Sequence, residues 1–163
     1  MTLEVHTPVQ IAWVTRDLDA IEKALTGLLG AKKWIRLPGV PFTPDSCTYR
    51  GRPADFVADI SLSYAGDLQL ELIAPVSGDN IYEEFLGRCG AGLHHICIEA
   101  DDLDEALKDA TDRGAEVVQR GVMPGGVEFA YVSAAQAGVP FIEIAHFPPE
   151  TRQFFEYVKQ EQK

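Results

Sequence analysis

The chain has 163 residues, a formal net charge of −11 and a pI near 4.7. Hydrophobic residues make up 46% and charged residues 24%, which is typical of a globular protein and excludes a disordered or fibrous chain. The acidic excess and the lack of a Lys/Arg run argue against a nucleic-acid partner, because a phosphate backbone would be repelled. The start lacks a signal-peptide pattern and no apolar stretch approaches bilayer length. We therefore expect a cytoplasmic protein with no membrane partner.

The first half of the chain begins with a strand and a helix. Alternation of apolar and polar residues from Gln10 to Val14 predicts a half-buried strand. Asp17 or Asp19 then caps a helix whose apolar residues recur at helical spacing, and Gly30 ends it. Further strands are predicted at Ala31–Leu37, Ala58–Tyr64 and Leu68–Ile73.

The second half repeats this order. A shift of 85 residues carries Gln10 onto His95 and the Asp-Leu-Asp turn at Asp17 onto that at Asp102. A helix from Leu103 to Gly114 follows, and a shift of 72 residues carries Glu71 onto Glu143 in the last strand. The other strands of this half are predicted at Glu116–Gln119, Val127–Val132 and Phe141–Ala145.

The repeat predicts an α+β fold of two tandem βαβββ modules, 8–75 and 92–147, within a single domain spanning 1–163. The Pro- and Gly-rich segment Pro38–Pro53 carries the extra residues of the first half and is predicted to be a mobile flap. The linker Pro75–Gly92 is expected to contain one or two helical turns. The tail, 148–163, is predicted to be an aromatic helix that docks on its own domain or on a sister subunit.

Four polar side chains occupy equivalent places in the two halves. Gln10 and His95 lie on the first strand of each half, and Glu71 and Glu143 lie on the last. If the halves pack about a pseudo-two-fold axis and the sheet curls, all four converge on one concave surface. A carboxylate in an apolar strand must be paired, hydrated or bound to metal. The set therefore predicts a site for one divalent ion such as Zn, Ni, Co or Mn.

These residues resemble the vicinal oxygen chelate superfamily, which includes glyoxalase I, methylmalonyl-CoA epimerase, extradiol dioxygenases and bleomycin-resistance proteins. The resemblance covers about Pro8–His146 and is most specific at Gly92–Glu99 and Gly66–Ile73. It implies a curled mixed sheet around one site, with Gln10, Glu71, His95 and Glu143 as metal ligands. It also implies a small-molecule substrate with adjacent oxygens.

The expected chemistry is proton transfer at a carbon next to a metal-polarised carbonyl, as in an epimerase, isomerase or lyase. Glu143 is the predicted base, with Glu71 as the second catalytic carboxylate on the opposite side. The chain departs from its relatives at several points. Val14 stands where glyoxalase I commonly has an arginine, and Gln10 stands where the epimerase usually has His. The segment after the first helix, Pro38–Asp59, offers no Glu for the epimerase's second base.

Substrate contacts are predicted for Arg50, Arg52, Arg120 and Tyr131, because arginine side chains can bind acidic groups of a substrate and a tyrosine could line the pocket. One alternative is a metal-free protein that sequesters a cationic drug, as bleomycin-resistance members do; the charge of −11 suits this role. An extradiol-type dioxygenase is disfavoured because the set holds a single histidine. The resemblance also implies a homodimer.

Overall fold

The computed structural model describes residues 5–163, and this part of the chain forms one sheet with four α-helices. The helices are α1 Leu18–Leu29, α2 Ile81–Cys89, α3 Leu103–Asp112 and α4 Pro149–Gln160, with a short 3₁₀ turn at Ala135–Ala137. The strands are β1 Gln10–Val14, β2 Ile35–Phe42, β3 Cys47–Tyr49, β4 Arg52–Pro53, β5 Phe56–Ala65, β6 Leu68–Ser77, β7 Gly92–Glu99, β8 Val117–Val122, β9 Glu128–Ser133 and β10 Phe141–His146.

The ten strands lie in the order β2-β5-β6-β1-β7-β10-β9-β8-β3-β4 and form a curled, mixed sheet. The predicted α+β fold class is confirmed. At the centre, β1 and β7 are antiparallel, and each is flanked by a parallel strand, β6 beside β1 and β10 beside β7. Ala12 pairs with Glu71, and Cys97 pairs with Glu143. The same register on both sides of the centre brings the last strand of each half next to its first.

Helices α1 and α3 cover one face of the sheet. The Asp17 side chain caps α1 by accepting from the backbone N–H of Ala20, and Asp102 caps α3 in the same way. Leu25 packs with Trp13 and Leu72 of the sheet, while α3 buries Leu103 and Leu107 against the second half. This packing turns Leu72 outward and leaves the neighbouring Glu71 on the other, concave face.

The concave face is filled by α2 and α4. Asn80 caps α2, whose Tyr82 and Phe85 enter the main apolar core inside the curled sheet. From the other side α4 buries Val158 completely and packs Phe155 against Phe147. The tail helix therefore docks on its own domain. None of the helices in the described part of the chain is long and apolar enough to cross a membrane.

The segment Pro38–Pro53 differs from the predicted flap. Its first residues extend β2, which begins at Ile35 and pairs with β5. Its later residues form β3 and β4, and β3 pairs with β8 of the second half, placing Cys47 opposite Gly121. Proline is tolerated in β2 because this strand lies at the sheet edge, where a missing N–H costs no ladder bond.

The β3–β8 contact is close. A Cβ atom added at Gly121 would lie 2.4 Å from the Cys47 Sγ. Only glycine therefore fits opposite Cys47 in the present packing. The first half of the chain thus reaches over and completes the far edge of the second half.

Candidate functional site

Four side chains from four adjacent strands meet on the concave face of the sheet. They are Gln10 of β1, Glu71 of β6, His95 of β7 and Glu143 of β10, and we call them the quartet. The His95 Nε2 lies 3.3 Å from the Gln10 Oε1, 3.6 Å from a Glu71 oxygen and 3.9 Å from a Glu143 oxygen. The structure thus brings together all four residues that the repeat placed in equivalent positions.

The quartet is shielded from solvent, and burial dominates its protonation. Gln10 and His95 are buried, and the Glu71 and Glu143 side chains are 13% and 10% exposed. Burial raises the pKa of Glu71 to about 8 and raises that of Glu143, where nearby His95 opposes the effect. Burial lowers the pKa of His95 to about 4. Near neutral pH, His95 is therefore neutral and its contacts with the two carboxyl groups are not ion pairs.

The donor atoms of the quartet are of types that bind divalent ions, although His95, Glu71 and Glu143 lie slightly farther apart than ligands of one ion do. Among residues 5–163, no group of three or more His, Cys, Asp and Glu side chains is close enough to hold a metal by itself. Ligands around an ion with bonds near 2.1 Å lie about 3.0–3.4 Å apart, slightly closer than the 3.3–3.9 Å observed here. Carboxylate and amide oxygens and an imidazole nitrogen are suitable donors. A bound cation would also compensate the two buried carboxylates, so binding would release protons.

Gln69 is a residue of the site that the sequence analysis missed. It is buried on β6, two residues before Glu71, and pairs with Gln10 in the sheet. The Gln10 Nε2 donates to the Gln69 Oε1 at 2.5 Å, and the Gln69 Nε2 donates to the Tyr64 hydroxyl. These bonds leave the Gln10 Oε1 facing His95. Strand alternation from Glu71 would have placed Gln69 on the same face.

If the quartet binds zinc, replacing Gln69 with leucine is expected to weaken that binding about 10- to 100-fold, the usual cost of losing a side chain that orients a metal ligand. In this variant the buried Gln10 Nε2 has lost its acceptor, which also costs about 1–3 kcal/mol of stability. Gln69→Glu keeps an acceptor oxygen and is expected to retain zinc affinity. Calorimetric zinc titration and thermal unfolding of both variants measure these effects. Equal zinc affinity for Gln69→Leu and the wild type would show that Gln69 does not orient Gln10.

His94 lies on the concave face, although strict strand alternation from His95 would point it into the sheet–helix interface. The β1–β7 register shifts between Ala12 and Trp13, so β7 bulges at this point and both histidines turn inward. The Nδ1 atoms of His94 and His95 are 2.8 Å apart. Four aromatic rings surround His94, those of Tyr82, Phe85, Tyr131 and Phe141.

Tyr131 forms one wall of the quartet. It pairs with Glu143 across β9 and β10, and its ring centroid lies 4.8 Å from that of His95. Its hydroxyl is 2.6 Å from the hydroxyl of Tyr82 on α2. Burial raises the pKa of Glu143, and the neighbouring Cys97 and Tyr131 oppose that rise. Of the four residues predicted to contact substrate, Tyr131 is the one that the structure brings to the quartet.

The three arginines lie elsewhere. Arg50 is bound to Glu84 of α2, and Arg52 lies beside it in a surface groove of about 520 Å³. Arg120 is paired with Asp104 at the start of α3, on the opposite face of the sheet from the quartet. Within the described residues, none of the three makes an ion pair with the quartet. Their predicted role in holding a substrate finds no support in this arrangement.

Comparison with known sequences places the chain in a family. Residues 9–131 match the Glyoxalase/Bleomycin resistance protein/Dioxygenase superfamily. The chain belongs to this superfamily. It is also 30% identical over 88 residues to the uncharacterized protein YqjC of Bacillus subtilis (strain 168), a match that covers 53% of the chain. The chain spans 63% of the length of that relative.

Solved structures share the fold of this superfamily member. Methylmalonyl-CoA epimerase from Mycobacterium tuberculosis is 18% identical, with a TM-score of 0.63 over 92% of this chain and 94% of the epimerase. A Streptomyces coelicolor methylmalonyl-CoA epimerase variant in complex with 2-nitronate-propionyl-CoA is 17% identical, with a TM-score of 0.57 over 87% and 98% of the two chains. The hypothetical protein BH1468 from Bacillus halodurans C-125 is 18% identical, with a TM-score of 0.60 over 89% and 96%. At these identities the likeness establishes the fold.

Proposed function

We propose that this protein is a divalent-metal-dependent isomerase of the epimerase type, which moves a proton at a carbon next to a carbonyl. One observation carries the proposal: two carboxyl groups flank one imidazole and one amide oxygen at a buried point, with each residue on a separate strand. The epimerases among the structural neighbours support the choice of an isomerase over a lyase.

Glu143 is the proposed base. Burial raises its pKa, so its carboxylate binds a proton more strongly than an exposed carboxylate does. Tyr131 and Cys97 pair with Glu143 in the sheet and oppose the rise of its pKa. Glu71 lies on the other side of His95 and is proposed to return the proton. Proton removal on one side and return on the other inverts the substrate carbon.

The quartet would hold the ion through the Gln10 Oε1, the His95 Nε2 and carboxylate oxygens of Glu71 and Glu143. When bound, a divalent ion supplies Lewis-acid polarisation of the substrate carbonyl, which makes the neighbouring C–H more acidic. The surrounding residues keep water away from this point. Tyr82 and Tyr131 close the quartet on the side of α2.

Access to the quartet is proposed to run beside α4. A groove of about 290 Å³ is bordered by Tyr64 and Gln69 on the sheet and by Phe155 and Lys159 on the helix. Gln69 is bonded directly to Gln10, so one wall of the groove lies next to the quartet. An extended substrate such as a thioester would leave its carrier group in this groove and present its acyl carbon to Glu71 and Glu143.

Hydrogen–deuterium exchange at the substrate carbon tests the proposal. Protein loaded in turn with Zn, Ni, Co or Mn is incubated in D₂O with 2-methylmalonyl-type thioesters and with glutathione hemithioacetals. We expect a thioester to incorporate deuterium when metal is present, and mass spectrometry and NMR measure the incorporation. Exchange in the hemithioacetal alone would move the assignment to a glyoxalase-type lyase. Absence of exchange with every metal and substrate would contradict a proton-transfer enzyme, and metal-free protein that binds a cationic drug would indicate the sequestering alternative.

A further inference from the structure

The surface groove that contains Arg50 and Arg52 is separate from the quartet. It has a volume of about 520 Å³ and lies between the β3–β4 hairpin and the start of α2, and none of the four quartet residues lines it. A groove of this size is within the range of sites that hold small organic ligands. Its walls carry charged groups of both signs, so the next question is which of them are available to a ligand.

Several charges in the groove already have partners within the chain. Glu84 accepts from the Arg50 guanidinium at 2.6 Å, and Glu83 is paired with Arg16. Three other charged residues that line the groove take part in no ion pair among residues 5–163, namely Arg52, Asp55 and Asp79. The groove therefore offers one free cation and two free carboxylates.

The β3–β4 hairpin turns Arg52 toward the groove. Arg50 and Gly51 form its two-residue turn, with φ of 51° and 78°, and Tyr49 pairs with Arg52 across it. Directly paired residues lie on the same face of a hairpin, and Tyr49 faces the groove, where its hydroxyl bonds to Glu84. Arginine is strained at this left-handed turn position, which favours Asn or Gly. The bonds from Arg50 and Tyr49 to Glu84 hold the hairpin against α2.

A close backbone contact brings the two free carboxylates together. Gly78, the residue before Asp79, lies so near Asp55 that an added Cβ would be 2.3 Å from the Asp55 carbonyl oxygen. Both aspartates are exposed where they line the groove. Asp55 follows Arg52 by three residues, a span of at most about 10 Å along the backbone, and the two residues between them are apolar. The positive and negative groups are thus separated by a short uncharged stretch.

An unused buried donor lies beside the groove. Gln119 is 1% exposed, and its Oε1 accepts from the Ile81 N–H at 3.1 Å. This bond orients the amide and leaves the Nε2 without a partner among residues 5–163. Gln119 pairs with Tyr49 in the sheet, and Ile81 follows Asn80, so two residues that line the groove are its neighbours. Buried donors normally have an acceptor, and an oxygen atom of a ligand would supply one.

We propose that this groove binds a zwitterion of about dipeptide length, whose carboxylate pairs with Arg52 and whose ammonium group is held by Asp55 and Asp79. A ligand of one sign would be attracted by one part of the groove and repelled by the other. The ends of an extended dipeptide are about 7 Å apart, and the side chains of the groove can bridge the remaining distance. The site is separate from the quartet and does not rest on the proposed function.

Three forms of one dipeptide test this assignment with the wild-type chain. Calorimetry measures the binding of leucyl-leucine, of its N-acetylated form and of its C-terminal amide. We expect loss of either charge to weaken binding about tenfold or more, the usual effect of losing a charge-assisted hydrogen bond. Free leucine should bind more weakly than the dipeptide, because its two charges are too close together to reach both sides. Equal affinity of the three dipeptide forms, equal affinity of leucine, or no binding of leucyl-leucine at millimolar concentration would overturn the proposal.

Two variants then locate the ligand in the groove. In Arg52→Gln we expect the preference for the free carboxylate over the amide to disappear, and in the double variant Asp55→Asn, Asp79→Asn the preference for the free ammonium group over the acetylated form. The control is Arg113→Gln, because Arg113 pairs with Asp109 on α3, away from the groove. Preferences that persist in both variants would refute this location. The titrations need neither metal nor substrate, so their outcome is independent of whether the proposed function fails.

Discussion

Replacing Glu143 with glutamine is expected to lower the rate of deuterium exchange into the substrate by about a hundredfold or more, because an amide cannot accept the proton. The substitution conserves shape and removes one negative group from the quartet, so zinc affinity should fall as well. Exchange rates and metal content of purified protein measure the two effects separately. Glu105→Gln is the matched control, because Glu105 is exposed on α3, on the other face of the sheet.

Saturation with metal separates the two roles of Glu143. If the residue serves only as a ligand, excess zinc should restore exchange in Glu143→Gln. If it is also the base, exchange should stay low when the variant is fully loaded. If Glu143→Gln exchanges at the wild-type rate without added metal, Glu143 is neither the base nor a required metal ligand.

Replacing Gly78 with alanine is expected to destabilise the protein by about 3 kcal/mol or more, through overpacking combined with left-handed backbone strain. Gly78 has φ of 87°, and an added Cβ would lie 2.3 Å from the Asp55 carbonyl oxygen and 2.7 Å from the Phe56 Cβ. The first atom belongs to the backbone and the second is the Cβ of a buried phenylalanine, so neither can move without disturbing the packing. Gly78 lies two residues before Asn80, the cap of α2, and its carbonyl accepts from the Asn80 side chain, so relief of the clash would shift the helix that covers the quartet.

Gly66→Ala provides the comparison. Gly66 has φ of 62° in the β5–β6 turn, and an added Cβ would meet no atom within 4 Å. This variant carries only the conformational cost, about 1–2 kcal/mol. Urea unfolding of both variants should therefore show Gly78→Ala as clearly the less stable. Equal losses would mean that the close approach at Gly78 is relieved without cost.

The sequence could predict the quartet because a repeat converts spacing along the chain into equivalence in space. Gln10 and His95 were matched to one another, as were Glu71 and Glu143, and the parallel pairing of last and first strands then brought the four together. Gln69 was within reach of the same reasoning, since it shares a face with Glu71. The arginines were chosen by residue type alone, and type does not say which face of a strand or which side of a hairpin a residue occupies.

The orientation of His94 and the structure of the segment after β2 could not be predicted in this way, for two different physical reasons. A bulge in β7 interrupts the alternation from which the orientation of His94 would have to be predicted. The pairing of β3 with β8 joins residues that are seventy or more positions apart, so no local sequence pattern indicates it. Proline and glycine in 38–53 mark turns and edges, and these properties are shared by a flap and by short edge strands.

The reach of β3 across to β8 has a consequence for how the chain folds. The second half alone would leave β8 as an open edge with unsatisfied backbone groups, which is a template for aggregation. Burial of that edge must wait until residues near Cys47 have been brought to Gly121, a step with a large loop-closure cost. The two halves are thus dependent in folding as well as in the site they share, and separating them would produce two incomplete sheets.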